Sequence, residues 1–143
     1  MEPRISIITL GVKDLQKSYE FYNKGLGFEV STPPSGGIHF FKTGGTCLAI
    51  YPIDKMAKEF DPPINLERSG RPSFTLAHNT KTQSEVDDIL KLAKAAGGKI
   101  EKPATKVFWG GYSGYFSDPD GYFWEVAHAD FWEFNPDGSL IIR

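Results

Sequence analysis

At 143 residues, with 40% hydrophobic and 14% aromatic content, the chain suits one domain, or two small halves sharing a core, and has ample apolar material to fill it. A formal net charge of −2 leaves no basic footprint for nucleic acid or an anionic membrane surface, so neither is expected as a partner. The lone Cys47 excludes an intrachain disulfide, reads as a small buried strand residue and fits a reducing compartment. Met1 leads into a polar opening, and no run approaches the ~20 apolar residues of a membrane span. A cytoplasmic protein is expected.

In chain order, Arg4–Leu10 is an apolar, β-branched run that reads as a strand. Asp14 is the predicted N-cap of a helix whose stripe is Leu15, Tyr19, Tyr22 and Leu26, stopped by Gly25 and Gly27. Phe28–Ser31 reads as a short strand ended by Pro33-Pro34 and Gly36-Gly37. Ile38–Lys42 and Thr46–Tyr51 follow as strands around a tight turn at Gly44-Gly45. Pro52–Arg71 is rich in Pro and charge and is the predicted connector, with one helical turn at Asp54–Phe60. Ser73–Ala77 is again a strand. Thr82 and Glu85 then form a capping box for a helix with the stripe Val86, Ile89, Leu90 and Ala93, ended by Gly97-Gly98. Lys99–Val107 is a strand, shortened if Pro103 interrupts it.

Gly111–Ser117 and Tyr122–His128 read as the arms of a hairpin around Asp118-Pro119-Asp120-Gly121. Pro119 presets φ, the Asp side chains can bond the backbone around it, and Gly121 accepts a positive φ. Phe131–Arg143 is a tail with a turn at Asn135-Pro136-Asp137-Gly138. Its aromatics, Phe131, Trp132 and Phe134, are expected to pack onto the body or onto a second subunit, and a homodimer is the expected assembly.

The order strand, helix, three strands thus occurs twice. Ser6–Leu10 aligns with Pro72–Leu76 at an offset of 66 residues, and Gly45–Tyr51 with Gly121–Ala127 at 76, a difference that loops absorb. One such unit cannot bury its sheet face alone. The expected fold is therefore α+β, with two tandem βαβββ modules at about 4–52 and 72–128. A connector at 53–71 and a tail at 129–143 complete one domain. Curved mixed sheets would enclose a shared cleft, with helices on the outer faces.

Val12-Lys13-Asp14-Leu15, with Phe21-Tyr22 and Leu26-Gly27-Phe28, resembles the opening signature of the vicinal-oxygen-chelate superfamily. Asp118-Pro119-Asp120-Gly121 followed by Glu125 resembles its closing one. That superfamily includes glyoxalase I, bleomycin- and fosfomycin-resistance proteins and extradiol dioxygenases, and the resemblance runs from Arg4 to His128. It implies the paired-module fold, but not one chemistry, because the scaffold carries enzymes and binding proteins alike. Family enzymes hold a divalent metal with up to four ligands from the first and last strands of each half. Those positions are Ile7, Ala49, Ser73 and Glu125 here. Ile7 and Ala49 offer no donor atom, Ser73 only a neutral hydroxyl, and a catalytic metal wants about three protein ligands. A divalent metal is disfavoured on this reading, and no cofactor is expected.

Period-two alternation places Phe123 and Ala127 beside Glu125 on the cleft face, with Tyr122, Trp124 and Val126 toward the helices. Ser113, Tyr115 and Ser117 would share that face; Cys47, Ala49 and Tyr51 would line it from the first half. Ile7, Thr9, Ser73 and Thr75 would floor it, and Trp109 would form a rim. The candidate ligand-binding set is Thr9, Tyr51, Ser73, Thr75, Trp109, Tyr115, Phe123 and His39, with Glu125 the catalytic candidate. His39 competes with a plain strand reading, and the aromatic run Phe108, Trp109, Tyr112, Tyr115 reads equally as sheet packing. His78 and His128, at or just past strand ends, read as ordinary exposed histidines. A buried carboxylate at Glu125 needs a partner such as Ser73, Tyr115 or a Thr hydroxyl, or a raised pKa; a structural remnant is the bland alternative to a functional acid. Two functions follow. One is a binding protein for a small aromatic or amphipathic molecule. The other is a lyase, isomerase or dioxygenase relative that uses Glu125 as general base or single metal ligand.

Overall fold

The computed structural model describes residues 1–31, 37–67, 70 and 72–142. The predicted breaker at Pro33-Pro34 and Gly36, and Arg71 at the end of the predicted connector, lie outside the described residues. The chain divides into two compact units, residues 1–70 and 71–143, and its class is α+β, as expected. Among the described residues no helix is long and apolar enough to cross a membrane.

In the first unit, β1 (Ile7–Val12) pairs in parallel with β3 (Cys47–Pro52), and β3 pairs antiparallel with β2 (His39–Phe41). The predicted strand at Phe28–Ser31 is reduced to one isolated bridge, Val30 to Phe41. Phe28 instead packs against Tyr22 and Phe41, at ring separations of 5.9 and 6.1 Å. Asp14 caps α1 (Leu15–Tyr19), its carboxylate accepting from the Lys17 N–H at 2.9 Å. The helix then widens into a π-helical turn, Glu20–Gly25, with Leu26 N–H donating to Phe21 O. The wider turn rephases the apolar stripe. Ser18, Phe21 and Tyr22 are buried, whereas of the predicted stripe Leu15, Tyr19, Tyr22, Leu26 only Tyr22 is. The helical turn in the predicted connector is α2 (Ile53–Ala57).

In the second unit the sheet order is β4-β7-β6-β5. β4 (Thr75–Thr80) runs parallel to β7 (Phe123–His128), which is antiparallel to β6 (Tyr112–Ser117), itself antiparallel to β5 (Lys99–Lys106). The capping box at Thr82 and Glu85 starts α3 (Gln83–Ala95), which buries Val86, Leu90 and Ala93. Leu90 lies so close to β6 that a Cβ on Gly114 would meet its Cδ1 at 2.6 Å, which is why that strand position is glycine. Tyr112 ties the same strand to α3 by donating its hydroxyl to Asp87 at 2.9 Å. Pro103 does not end β5 but leaves register shifts on both sides of Lys102, as expected where a ladder donor is missing. Phe116 and Trp124 stack at 6.1 Å beneath the helix.

Candidate functional site

The turn at Asp118–Gly121 sets the geometry of the candidate acid. Asp118 is buried, and its Oδ1 accepts from the N–H groups of Asp120 and Tyr122, both at 2.9 Å. Gly121 takes φ +88 and donates to Asp118 O at 3.0 Å. This fixes the β6–β7 register with Tyr115 opposite Glu125. Trp124 and Val126 are buried on the face that α3 covers. Phe123, Glu125 and Ala127 occupy the opposite face, joined by Ser113, Tyr115 and Ser117 from β6 and by Thr75, Ala77 and Asn79 from β4.

Glu125 finds its partner in Tyr115. Desolvation, then the hydrogen bond to Glu125 and its negative charge, hold the Tyr115 phenol above its ordinary value. The phenol keeps its proton, and the register sets Tyr115 directly opposite the Glu125 carboxylate. Lys102 lies on the far side, with Nζ 6.0 Å from the Tyr115 ring centroid. A second polar rung follows along the strands, where Ser117 donates to Glu101 Oε1 at 2.8 Å and Lys99 pairs with Glu101 at 3.4 Å. Ser73 is exposed and precedes β4, so the register sets Ala77, not Ser73, beside Glu125. Glu101 and Lys102 are missing from the sequence reading because the irregularity around Pro103 hides which β5 residues face Tyr115 and Ser117.

The matching face of the first unit is chemically different. Ala49 is fully buried between Thr9 on β1 and Phe40 on β2. Thr9 and Ile7 are exposed. Tyr51 donates to Glu59 at 3.3 Å, and its phenol is raised by desolvation and then by that acid. Cys47 is half-buried rather than core, its Sγ turned toward the Phe41 carbonyl at 3.4 Å.

Two expectations, for His39 and His128, need correction. His39 does not share the face of Ala49: it pairs with Ile50, is buried and packs on Tyr19 of α1 with ring centroids 4.6 Å apart. Its Nδ1 has no hydrogen-bond partner among the described residues, and burial lowers its pKa. Trp109 stacks on Trp132 of the tail at 5.7 Å, and its ring covers Gly111, where any Cβ would fall within 2 Å of it. His128 is not an exposed strand-end residue; it is buried, with both ring nitrogens engaged. His78 is exposed by surface area, although its surroundings lower its pKa by desolvation, with Glu85 opposing.

A divalent metal fits poorly to these residues. Of the four family positions Ile7, Ala49, Ser73 and Glu125, only Glu125 carries a charged donor, against the about three ligands a catalytic centre uses. Among the described residues no three His, Cys, Asp or Glu side chains come together as a metal-holding group.

Comparison with known proteins agrees with the paired strand order. The model of the glyoxalase/bleomycin resistance protein/dioxygenase superfamily matches residues 4–126, and the chain belongs to that family. It is similar to a glyoxalase-related enzyme from Fulvimarina pelagi at 33% identity and TM-score 0.87, with 98% of each chain covered. A glyoxalase/bleomycin resistance protein/dioxygenase from Nocardioides matches at 28% identity and TM-score 0.74, over 90% of this chain and 85% of that one. A lactoylglutathione lyase from Agrobacterium tumefaciens, at 23% identity and TM-score 0.68 over 94% and 100%, shares the fold.

Proposed function

We propose that the chain binds a small, partly aromatic molecule on the helix-distal face of its second sheet, through contacts that need no metal. The observation that carries this reading is the Tyr115–Glu125 pair, set among Phe123, Ala77 and Ala127 with the hydroxyls of Ser113 and Ser117 close by in the register. Glu125 carries acceptor lone pairs that can take a hydroxyl or a cation from a ligand. Half-buried Phe123 and exposed Ala77 supply apolar area for a ligand to cover. Tryptophan-quenching and thermal-shift screens of aromatic compounds, run with a chelator present, should find binders. Their affinity should fall several-fold in Glu125→Gln. Binding that appears only on addition of a divalent metal would overturn the reading.

A second reading draws on the same pair. The Glu125 carboxylate is the group on this face that can accept a proton from a bound substrate. On this reading the chain is a lyase, isomerase or dioxygenase relative with Glu125 as general base. Turnover that survives Glu125→Gln would sink it.

A further inference from the structure

His128 ends β7 at 7% exposure, and both of its nitrogens meet oxygen. Nδ1 lies 3.1 Å from the Thr80 carbonyl at the end of β4. Nε2 lies 3.0 Å from Asp130 Oδ1 at the root of the C-terminal segment. A carbonyl only accepts, and so does a carboxylate. Neutral imidazole carries one N–H and can serve one of these oxygens, whereas the imidazolium serves both.

The other groups around the ring come from four elements. Thr80 is the β4 neighbour, and its hydroxyl donates to Thr82 O at 2.9 Å, so only its carbonyl is directed at His128. From α3, the charge of Glu85 favours the protonated ring; Lys81 turns its backbone N–H to that same carboxylate at 2.8 Å. From β6, Tyr112 is the register partner of His128, but its hydroxyl is committed to Asp87. Lys106 of β5 stands one strand further out, opposite Tyr112. Burial opposes the charge most strongly, yet the bonds to Thr80 and Asp130 and the charges of Asp130 and Glu85 outweigh it, and the His128 pKa is raised.

This ring sits where the chain leaves the sheet. Beyond Asp130, Trp132 N–H donates to Ala129 O, and a small hairpin closes through the bridge between Phe134 and Leu140. Phe134 and Gly138 of that hairpin form one wall of a cavity of about 450 Å³, whose other walls include His78, Thr80, Glu85 and Ile89. His128 therefore joins the root of the segment that carries Phe134 and Gly138 to Thr80, which lines the same cavity.

We propose that His128 is a proton-operated latch, which as imidazolium ties Thr80 to Asp130 and holds the C-terminal segment as the wall of this cavity. Loss of the ring proton leaves one of the two oxygens without a donor and loosens the segment. The latch is complete below the pKa of a free histidine, about 6.5, and is lost as pH rises through the higher folded value.

The full chain tests this in two ways between about pH 5.5 and 8.5. Nitrogen NMR of the histidine rings should show both His128 nitrogens protonated at the acid end, with a midpoint above that of a free histidine. Limited proteolysis within 130–142, normalised to cleavage of an unfolded peptide, should rise with pH and level off. The rise is at most tenfold for each unit by which the closed-state pKa exceeds the open one. Asp130→Asn should lower the midpoint and flatten the rise, and His128→Gln should give cleavage independent of pH. If His128→Gln does not fold, Asp130→Asn decides alone, since the Asp130 side chain is 94% exposed. A His128 ring with one protonated nitrogen at the acid end would overturn the latch. So would a cleavage profile that Asp130→Asn leaves unchanged.

Discussion

The two units follow one plan, with the first strand parallel to the last and a helix between, yet they treat one position in opposite ways. In the second unit Glu125 stands opposite Tyr115. In the first, Ala49 stands opposite Phe40. The carboxylate and the phenolic hydroxyl are present together in one copy and absent together in the other. An unsatisfied buried carboxylate costs several kcal/mol, so an acid is far easier to keep at half-buried Glu125 than at the fully buried position of Ala49. The histidines divide the units in the same way: the first buries His39 with a nitrogen that has no partner among the described residues and a lowered pKa, the second buries His128 between two acceptors with a raised one.

The largest effect should come from forcing the polar arrangement onto the first unit. Ala49 is fully buried, and Ala49→Glu should cost about 3–5 kcal/mol, the range for an uncompensated buried charge. Adding Phe40→Tyr should recover part of that loss, with a coupling of about 0.5–3 kcal/mol in a double-mutant cycle by urea unfolding. No coupling would mean that the Tyr–Glu pairing in the second unit is incidental to keeping the acid.

A smaller effect is expected where helix meets sheet. Gly114→Ala drives a methyl against Leu90 and against the backbone of Ala104 and Lys102, and should cost about 1–3 kcal/mol as overpacking does. A thermal melt measures it. An unchanged melting temperature would show that α3 shifts freely on β6, and would remove the tight packing that holds the helix-distal face in register.

Much of this organisation is legible in the residues. Thr82 and Glu85 announce their helix because a capping box uses only local spacing, and Asp118–Gly121 announces its turn because Pro and Gly fix φ. The π-helical turn at Glu20–Gly25 is not legible, since it depends on burying Phe21 and Tyr22 side by side rather than on a periodic stripe. The face occupied by His39 is also hidden: a two-residue period places it correctly only once its register with Ile50 is known. Glu125 stands out because a lone acid in an apolar strand demands a partner. Its identity as Tyr115 rather than Ser73 depends on pairing that sequence spacing leaves open.

The two helix starts give a contrast of about 1 kcal/mol. Thr82→Ala removes one half of a reciprocal pair, since Glu85 in turn bonds the Thr82 and Lys81 N–H groups. Asp14→Ala removes a single bond to Lys17. Each should cost about 0.5–2 kcal/mol by urea unfolding, with Thr82→Ala the larger, because α3 is 13 residues and α1 only 5. The reverse order would place the weight of stability in the first unit.

The buried histidines predict opposite responses to pH. His39 has a folded pKa below its unfolded one because burial disfavours its charge, so its contribution is present above about pH 6.5 and is lost as pH falls from there through the lower folded value. His39→Phe should remove part of the acid sensitivity seen in thermal melts from about pH 7 down to 5. An acid limb of the stability profile that His39→Phe leaves unaltered would assign it to carboxylates instead.

The smallest change in stability, and the most specific test of the pair, is Glu125→Gln. Glu125 is only half-buried, and an amide can still accept from the Tyr115 hydroxyl, so stability should move by no more than about 0.5 kcal/mol. The Tyr115 phenol should nevertheless titrate lower, because the charge that helps to hold its proton is gone while its desolvation remains. Ultraviolet difference titration of Glu125→Gln against the parent, with Tyr115→Phe to assign the signal, reads this directly. Desolvation is the larger cause of the Tyr115 shift, so the phenol should stay above its ordinary value even in the variant. A full return to that value would mean that the carboxylate alone sets the proton on Tyr115. The face would then be wet enough that Glu125 has little to offer a ligand beyond what bulk water gives.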